Sequence, residues 1–202
     1  MSLNTDLGPK ELAGVVLAAG ASNRLGQPKQ LVTFDGRSLV QHAVEKCLPV
    51  CPLGVFVVTG AERESVGKIL RGEPVQIVHN KAWRDGLASS ITTGIAVVPD
   101  DSKAVLLMLC DQPKLSVAEL AQLVSVWAGH PDRVVASRFG ATFGAPAIFP
   151  REVFPMLEAL RGDRGAKSVI GQLADSILVD VPGAELDIDR PEDLDRLRDN
   201  KG

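Results

Sequence analysis

The chain alternates short, continuous apolar runs with longer stretches in which apolar residues recur every three or four positions. The runs at Gly14–Ala19, Gly54–Thr59, Val75–Val78, Ala104–Leu109, Arg133–Ser137, Pro146–Phe149 and Ser176–Val179 read as strands. Between them, Leu39, Val40, Ala43, Val44 and Cys47 share one helical face. So do Val66, Ile69 and Leu70; Leu87, Ile91, Ile95 and Val98; and Leu120, Leu123, Val124 and Trp127. Ser116-x-x-Glu119 predicts a capping box that opens the last of these helices. A strand that is apolar at successive positions has lost both faces to the core, which is the state of parallel strands joined by crossover helices. The pattern therefore predicts a doubly wound α/β fold: a mostly parallel sheet in a three-layer α/β/α sandwich.

With 202 residues, 45% of them hydrophobic, the chain supports one substantial core and is short for two. A single domain is expected over 13–198, after a polar N-terminal tail at 1–12 and before a C-terminal tail at 199–202; the charged stretch Asp195–Gly202 is expected to fray. Gly129–Asp132 and Gly140–Gly144 read as loops. A net charge of −3 without a dense Lys/Arg cluster argues against nucleic acid and membrane partners. The N-terminus lacks the organisation of a signal peptide, and no apolar run approaches the roughly 20 residues that span a bilayer, so a cytoplasmic protein is expected. Three cysteines make no disulfide framework, and Cys47-x-x-x-Cys51 lacks the second pair of a metal site, so buried free thiols are expected. His42, His79 and His130 form no spaced cluster and read as surface or turn residues.

Candidate chemistry begins after the first strand, in Leu17-Ala18-Ala19-Gly20-Ala21-Ser22-Asn23-Arg24-Leu25-Gly26-Gln27-Pro28-Lys29. Gly20 and Gly26 are expected to supply positive φ and let backbone N–H groups approach an anion, with Ala19, Ala21 and Ser22 leaving room for it. Arg24 and Lys29 supply charge suited to phosphate. The loop matches neither the dinucleotide fingerprint nor the Walker pattern. Its plainer reading is an ordinary turn with two solvated cations. Asp111 follows the apolar strand Ala104–Leu109 and so sits at a carboxyl end, where open α/β sheets bind ligands. It suits Mg²⁺, which takes one or two carboxylates plus phosphates and waters; the alternative is a turn aspartate before Pro113. In Asp187-Ile188-Asp189, only one aspartate is expected to face the crevice. Asp189-x-x-Glu192 also reads as a helix cap with Pro191 in the first turn, leaving cap and metal ligand equally open for Asp189.

Five blocks in order resemble the nucleotidyltransferases of the molybdenum cofactor family, and most closely its cytidylyltransferases. They are the Leu17–Lys29 loop, Asn80-x-x-Trp83-x-x-Gly86-Leu87-x-x-Ser90-Ile91-x-x-Gly94, Cys110-Asp111-Gln112-Pro113, Gly162-Asp163-x-Gly165-Ala166-Lys167, and Asp187-Ile188-Asp189-x-Pro191-Glu192-Asp193-Leu194. The resemblance runs from about Ala13 to Leu197 and implies a Rossmann-like nucleotidyltransferase fold. It implies that Arg24 and Lys29 bind a triphosphate and act in catalysis, and that Asp111 and Asp189 hold Mg²⁺. It also implies that Ser90 and the Leu17–Gly20 backbone contact the base, within a nucleotide site that includes Ala21, Ser22, Asn80 and Gly86. Asp163 and Lys167 would lie toward the acceptor. Ala19, where GTP-using relatives carry Gly, points to CTP; one methyl is a modest discriminator. The implied reaction is transfer of CMP to the phosphate of molybdopterin, with a molybdoenzyme as the implied protein partner. Sugar phosphate or polyol phosphate acceptors, and a non-catalytic nucleotide-binding or cofactor-insertion chaperone, are the competing readings. Ala145 stands where relatives often carry His, which loosens the inference about the acceptor.

Overall fold

The computed structural model describes residues 9–199; the expectations for the outermost tail residues lie outside that range. In chain order the elements are β1 (Leu12–Ala18), β2 (Thr33–Phe34), β3 (Arg37–Ser38), α1 (Leu39–Cys47), β4 (Gly54–Thr59), α2 (Arg63–Ile69) and β5 (Gln76–His79). They continue with α3 (Leu87–Ile95), β6 (Ala104–Leu109), α4 (Val117–Gly129), β7 (Val135–Phe139), β8 (Thr142–Pro150), α5 (Phe154–Glu158), α6 (Lys167–Ile170), β9 (Ile177–Asp180) and α7 (Pro191–Asp199). A seven-stranded sheet in the order β5-β4-β1-β6-β8-β7-β9 forms the middle layer. It is parallel except at β8, which runs antiparallel to both β6 and β7.

Every residue of β1 is buried, because each side of the strand meets a different layer. Leu12, Val16 and Ala18 join the core beneath α1, α2 and α4, through Val44, Val66 and Leu120. Ala13, Val15 and Leu17 join the opposite core, with Ile91 of α3, Leu157 of α5 and Val169 of α6. Strand alternation thus divides one apolar run between two hydrophobic layers. Gly14 is the exception that packing demands: a Cβ there would lie 2.4 Å from Cys47 Sγ. All three cysteines are free and buried.

The seven expected strands are present, and Ser116 and Glu119 form the expected capping box on α4. The differences are local. Gly140–Gly144 is mostly not a loop: β7 and β8 make a tight hairpin in which Phe139 pairs Thr142, with Gly140 at φ +53°, so β8 extends back to Thr142. A second, unexpected hairpin joins β2 and β3 through Asp35-Gly36, at φ +48° and +79°, the left-handed pair that two-residue turns favour. His79 belongs to edge strand β5 rather than to a turn. Helix α7 runs to Asp199, into the stretch expected to fray, anchored by buried Leu197 in a third cluster with Leu25, Leu39 and Ile188; the last three residues lie outside the described range.

Candidate active site

Strands β1 and β6 are in register, with Leu17 beside Leu109, so their carboxyl ends deliver the Ala18–Ala21 backbone and Asp111 to the same rim. A cavity of about 680 Å³ opens there. Leu17, Ala18, Ala19, Gly20, Ala21, Lys29, Gly86, Ser90, Asp111 and Asp163 line it, bringing together expected site residues from four of the five blocks. Gly26 has positive φ, as expected, but Gly20 does not; the left-handed residue is Ser22, at φ +56°. Its hydroxyl accepts a hydrogen bond from the Lys29 N–H at 3.0 Å, which closes the loop and sets where the lysine side chain begins. Gly20 contributes space instead, since a Cβ there would meet nothing within 4 Å.

The charged groups interlock. Lys29 Nζ donates to Asp111 Oδ2 at 2.5 Å and to Asp189 Oδ1 at 3.4 Å, and Arg24 Nη1 donates to Asp189 Oδ2 at 3.0 Å. Burial alone lowers the lysine's proton affinity, but Asp111's charge and hydrogen bond outweigh it and hold the ammonium above its usual range. Asp189 likewise feels some desolvation, yet Arg24 and Lys29 hold its carboxyl below the usual range. Burial, reinforced by the neighbouring Asp111, pushes the Cys110 thiol up to about 12, which keeps it protonated and inert.

Both aspartates of the Asp187-Ile188-Asp189 segment lie on Asp111's side, which overturns the expectation that only one faces the crevice. Residues two apart in extended chain share a face, and it is Ile188 between them that turns inward, fully buried. The Ile188 N–H donates to the Asp111 carbonyl at 3.0 Å, tying the C-terminal segment to the end of β6. Desolvation, with Asp111's charge next, pushes the Asp187 carboxyl up to about 7 despite the opposing pull of Lys29. The expected cap at Asp189 is displaced as well. Asp193 is the capping carboxylate, accepting from Arg190 N at 2.8 Å and Asp189 N at 3.1 Å, which leaves the Asp189 side chain free for Arg24 and Lys29.

Asp111 and Asp189 fit a divalent ion of the Mg²⁺ or Mn²⁺ type. Both offer hard oxygens, and Asp111 Oδ1 is buried without a hydrogen-bond partner. No group of three or more acidic, His or Cys side chains is arranged to hold a metal among the described residues, so an ion held by Asp111 and Asp189 would need further oxygens from ligand or water.

Asn80 does not line the large cavity. It is buried behind it, donating from Nδ2 to Ser89 Oγ at 2.8 Å and Ser90 Oγ at 3.0 Å, and so orients Ser90 at the wall. Gly86, at φ +99°, lies where a Cβ would come within 2.4 Å of the Gly162 carbonyl; Ala88 N also donates to that carbonyl, locking the Asp163 loop against α3. Lys167 lies away from the large cavity, in an adjoining one of about 280 Å³ that shares Leu17, Leu87 and Leu109 with it. There Lys167 bonds Thr142 and sits 5.3 Å over the Phe143 ring, opposite Gln112 and Asp187. Sequence reasoning did not single out Gln30, Trp83 or Arg84 as lining residues of the large cavity. Arg84 stacks 4.2 Å over the Trp83 ring, and nothing in residue spacing signals such a stack.

The family described as MobA-like NTP transferase domain matches residues 14–177 of the chain. The purine catabolism protein PucB of Bacillus subtilis is 32% identical over 93% of this chain and 96% of its own length. The nicotine blue oxidoreductase of Paenarthrobacter nicotinovorans is also 32% identical, over 92% of this chain and 96% of its own. Among solved structures, Rv0371c of Mycobacterium tuberculosis superposes with a TM-score of 0.84 at 28% identity, covering 94% of this chain and 98% of that one. A manganese complex of Rv0371c superposes with a TM-score of 0.81 at 26% identity, over 94% of this chain and 98% of that one. A match that takes in the cation-bearing loop, Asp111 and most of the sheet assigns the chain to the MobA-like NTP transferase domain family, whose fold it shares.

Proposed function

We propose that the chain transfers a nucleotidyl group, CMP from CTP, to the phosphate of a small-molecule acceptor, with the molybdenum cofactor as that acceptor. The observation that carries this reading is the convergence of Arg24, Lys29, Asp111 and Asp189 in one hydrogen-bonded charge cluster, two members of which, Lys29 and Asp111, line a cavity together with Ala18–Ala21. An oxygen of the acceptor phosphate attacks the α-phosphorus, the bond from that phosphorus to the bridging oxygen breaks, and pyrophosphate leaves. No protein nucleophile is needed.

Arg24 and Lys29 exchange their carboxylate partners for phosphate oxygens when the triphosphate enters, and their fixed positive charge offsets the charge that develops on the leaving pyrophosphate. Asp111 and Asp189 would hold Mg²⁺, which supplies Lewis-acid stabilisation of the phosphoryl oxygens. Ser90, held by Asn80, and the Leu17–Gly20 backbone offer polar groups to the base. The adjoining cavity, walled by Phe139, Phe143 and Ile91 and rimmed by Lys167, Gln112 and Asp187, lies where the acceptor would sit. Asp163 lies in the nucleotide cavity, so the acceptor role is carried by Lys167 rather than by both residues.

The relatives' names point to different chemistry, one to purine catabolism and one to an oxidoreductase, so the acceptor is inferred from this chain's resemblance and cavity. Pyrophosphate release measured with CTP, GTP and UTP, Mg²⁺ and either molybdenum cofactor or a polyol phosphate tests the proposal. Acceptor-dependent release with CTP and the cofactor is the expected result. Release with the polyol phosphate alone overturns the acceptor, and nucleotide binding without release overturns catalysis.

A further inference from the structure

Gln30 is fully buried in the wall of the large cavity, and its side chain reaches back over the chain segment that precedes it. Its Nε2 donates to the Ala18 carbonyl at 3.0 Å and to the Gly20 carbonyl at 2.6 Å. Two carbonyl acceptors fix which end of the amide is nitrogen, since the oxygen end has no proton to offer them. The oxygen end, Oε1, is left buried without a partner. An orphaned buried acceptor gives up its hydration and gets no hydrogen bond in return. A residue retained at such a cost in the interior is best understood by what its other end does.

We propose that Gln30 is a positioning residue for the nucleotide: its amide pins the Ala18–Ala21 backbone in the shape that receives the base and phosphates. A trans peptide carries its C=O and the next residue's N–H on opposite edges. Anchoring the carbonyls of Ala18 and Gly20 to Gln30 therefore turns the N–H groups of Ala19 and Ala21 to the side away from it. The Ala19 carbonyl is held in turn by Ala61 N at 3.1 Å, so three successive peptide planes of the loop are fixed. The same residue couples the loop to the charged cluster. Gln30 directly follows Lys29, and Ser22 Oγ holds the Lys29 N–H, so the backbone that faces the ligand and the lysine that neutralises it belong to one hydrogen-bonded unit.

This inference rests on the nucleotidyl-transfer reading, and its test separates the two. Gln30→Met keeps the side chain's length and removes the donor; Gln30→Glu replaces the donor with oxygen facing two carbonyls. Amide hydrogen exchange in the nucleotide-free protein should quicken at least tenfold at Ala19–Ala21 in both variants, with α4 and β6 unchanged. CTP affinity, measured by calorimetry with Mg²⁺, should fall about tenfold or more, and in turnover the KM for CTP should rise while the KM for the acceptor stays within twofold. A Gln30→Met protein with wild-type exchange in the loop and wild-type CTP affinity overturns the proposal. So does equal loss of affinity for CTP and acceptor, which a general loosening of the fold would produce. If the wild-type protein binds no nucleoside triphosphate, the proposed function fails, and loop exchange alone then decides whether Gln30 sets the backbone.

Discussion

Lys29 and Asp111 form a pair whose side chains are only 18% and 9% exposed, so neither charge can be removed without consequence for its partner. Lys29→Met leaves the buried Asp111 carboxylate without its ion-pair partner, and breaking such a pair costs about 3–5 kcal/mol. We expect Lys29→Met to unfold at a clearly lower temperature than wild type in metal-free buffer, and the double variant Lys29→Met/Asp111→Leu to recover most of that loss. Turnover should fall by orders of magnitude in every one of these variants. A single variant as stable as wild type would show that the pair is not electrostatically coupled. Asp187 adds a pH dependence. Its folded-state value, pushed up to about 7, lies above the unfolded carboxylate's 3.8, so the folded chain binds the extra proton between those values. Stability from this group is therefore present below about 4 and declines as pH rises through 7. Metal-free denaturant titrations at pH 5 and 8 should show a smaller difference for Asp187→Asn than for wild type. The identity of these carboxylates was legible in the sequence. That Asp187 and Asp189 share a face follows from their spacing of two; which way that face turns was not legible, because Ile188 enters a cluster with Leu25 and Leu39, contacts across more than half the chain.

At the scale of elements, the helices that carry the site are set by their first turns. Asp193 caps α7 and holds the backbone of Asp189 and Arg190, so Asp193→Ala should cost about 0.5–2 kcal/mol of stability, the usual worth of a cap. It should also weaken metal affinity, because Asp189 loses its fixed backbone; isothermal titration with Mn²⁺ checks both parts against the Asp189→Ala variant. Gly86 is a stricter case. With φ at +99° and the Gly162 backbone 2.4 Å from where a Cβ would be, Gly86→Ala must move the α3 start or the Asp163 loop. We expect a lower melting temperature together with a raised KM for nucleotide, read in the same preparation. Periodicity and capping patterns located these helices well, since an apolar stripe and an N-terminal hydroxyl are local properties. Asp35-Gly36 is a local turn signal, but strands of two residues on either side carry no alternation to go with it; the first part of β8 escaped because a segment of mixed polarity becomes a strand only with β7 beside it.

Across the whole molecule, the sheet order brings together residues that the chain keeps far apart: Arg24 and Asp189 are 165 positions apart, and Lys29 and Asp111 are 82. Their attraction leaves the ligand-free site held by its own ion pairs, which a metal-bound nucleotide must replace. A ligand that binds only the folded state stabilises it by about 2.7 kcal/mol at one hundred times its Kd. CTP with Mg²⁺ should therefore raise the melting temperature more than GTP or UTP at equal concentration, and chelation of the metal should abolish most of the shift. Equal shifts for the three nucleotides would remove the cytosine preference inferred from Ala19. The amino-acid sequence by itself determined the layers, the seven strands, the cation-bearing loop and the kinds of side chain available for phosphate and metal, because each of these follows from local pattern and composition. Only the tertiary structure decided that Asp187 and Asp189 share a face with Asp111, that Asn80 stands behind Ser90, and that Gln30 grips the Ala18–Ala21 backbone. Those facts depend on which buried surfaces meet across the fold, and no spacing along the chain encodes such a meeting.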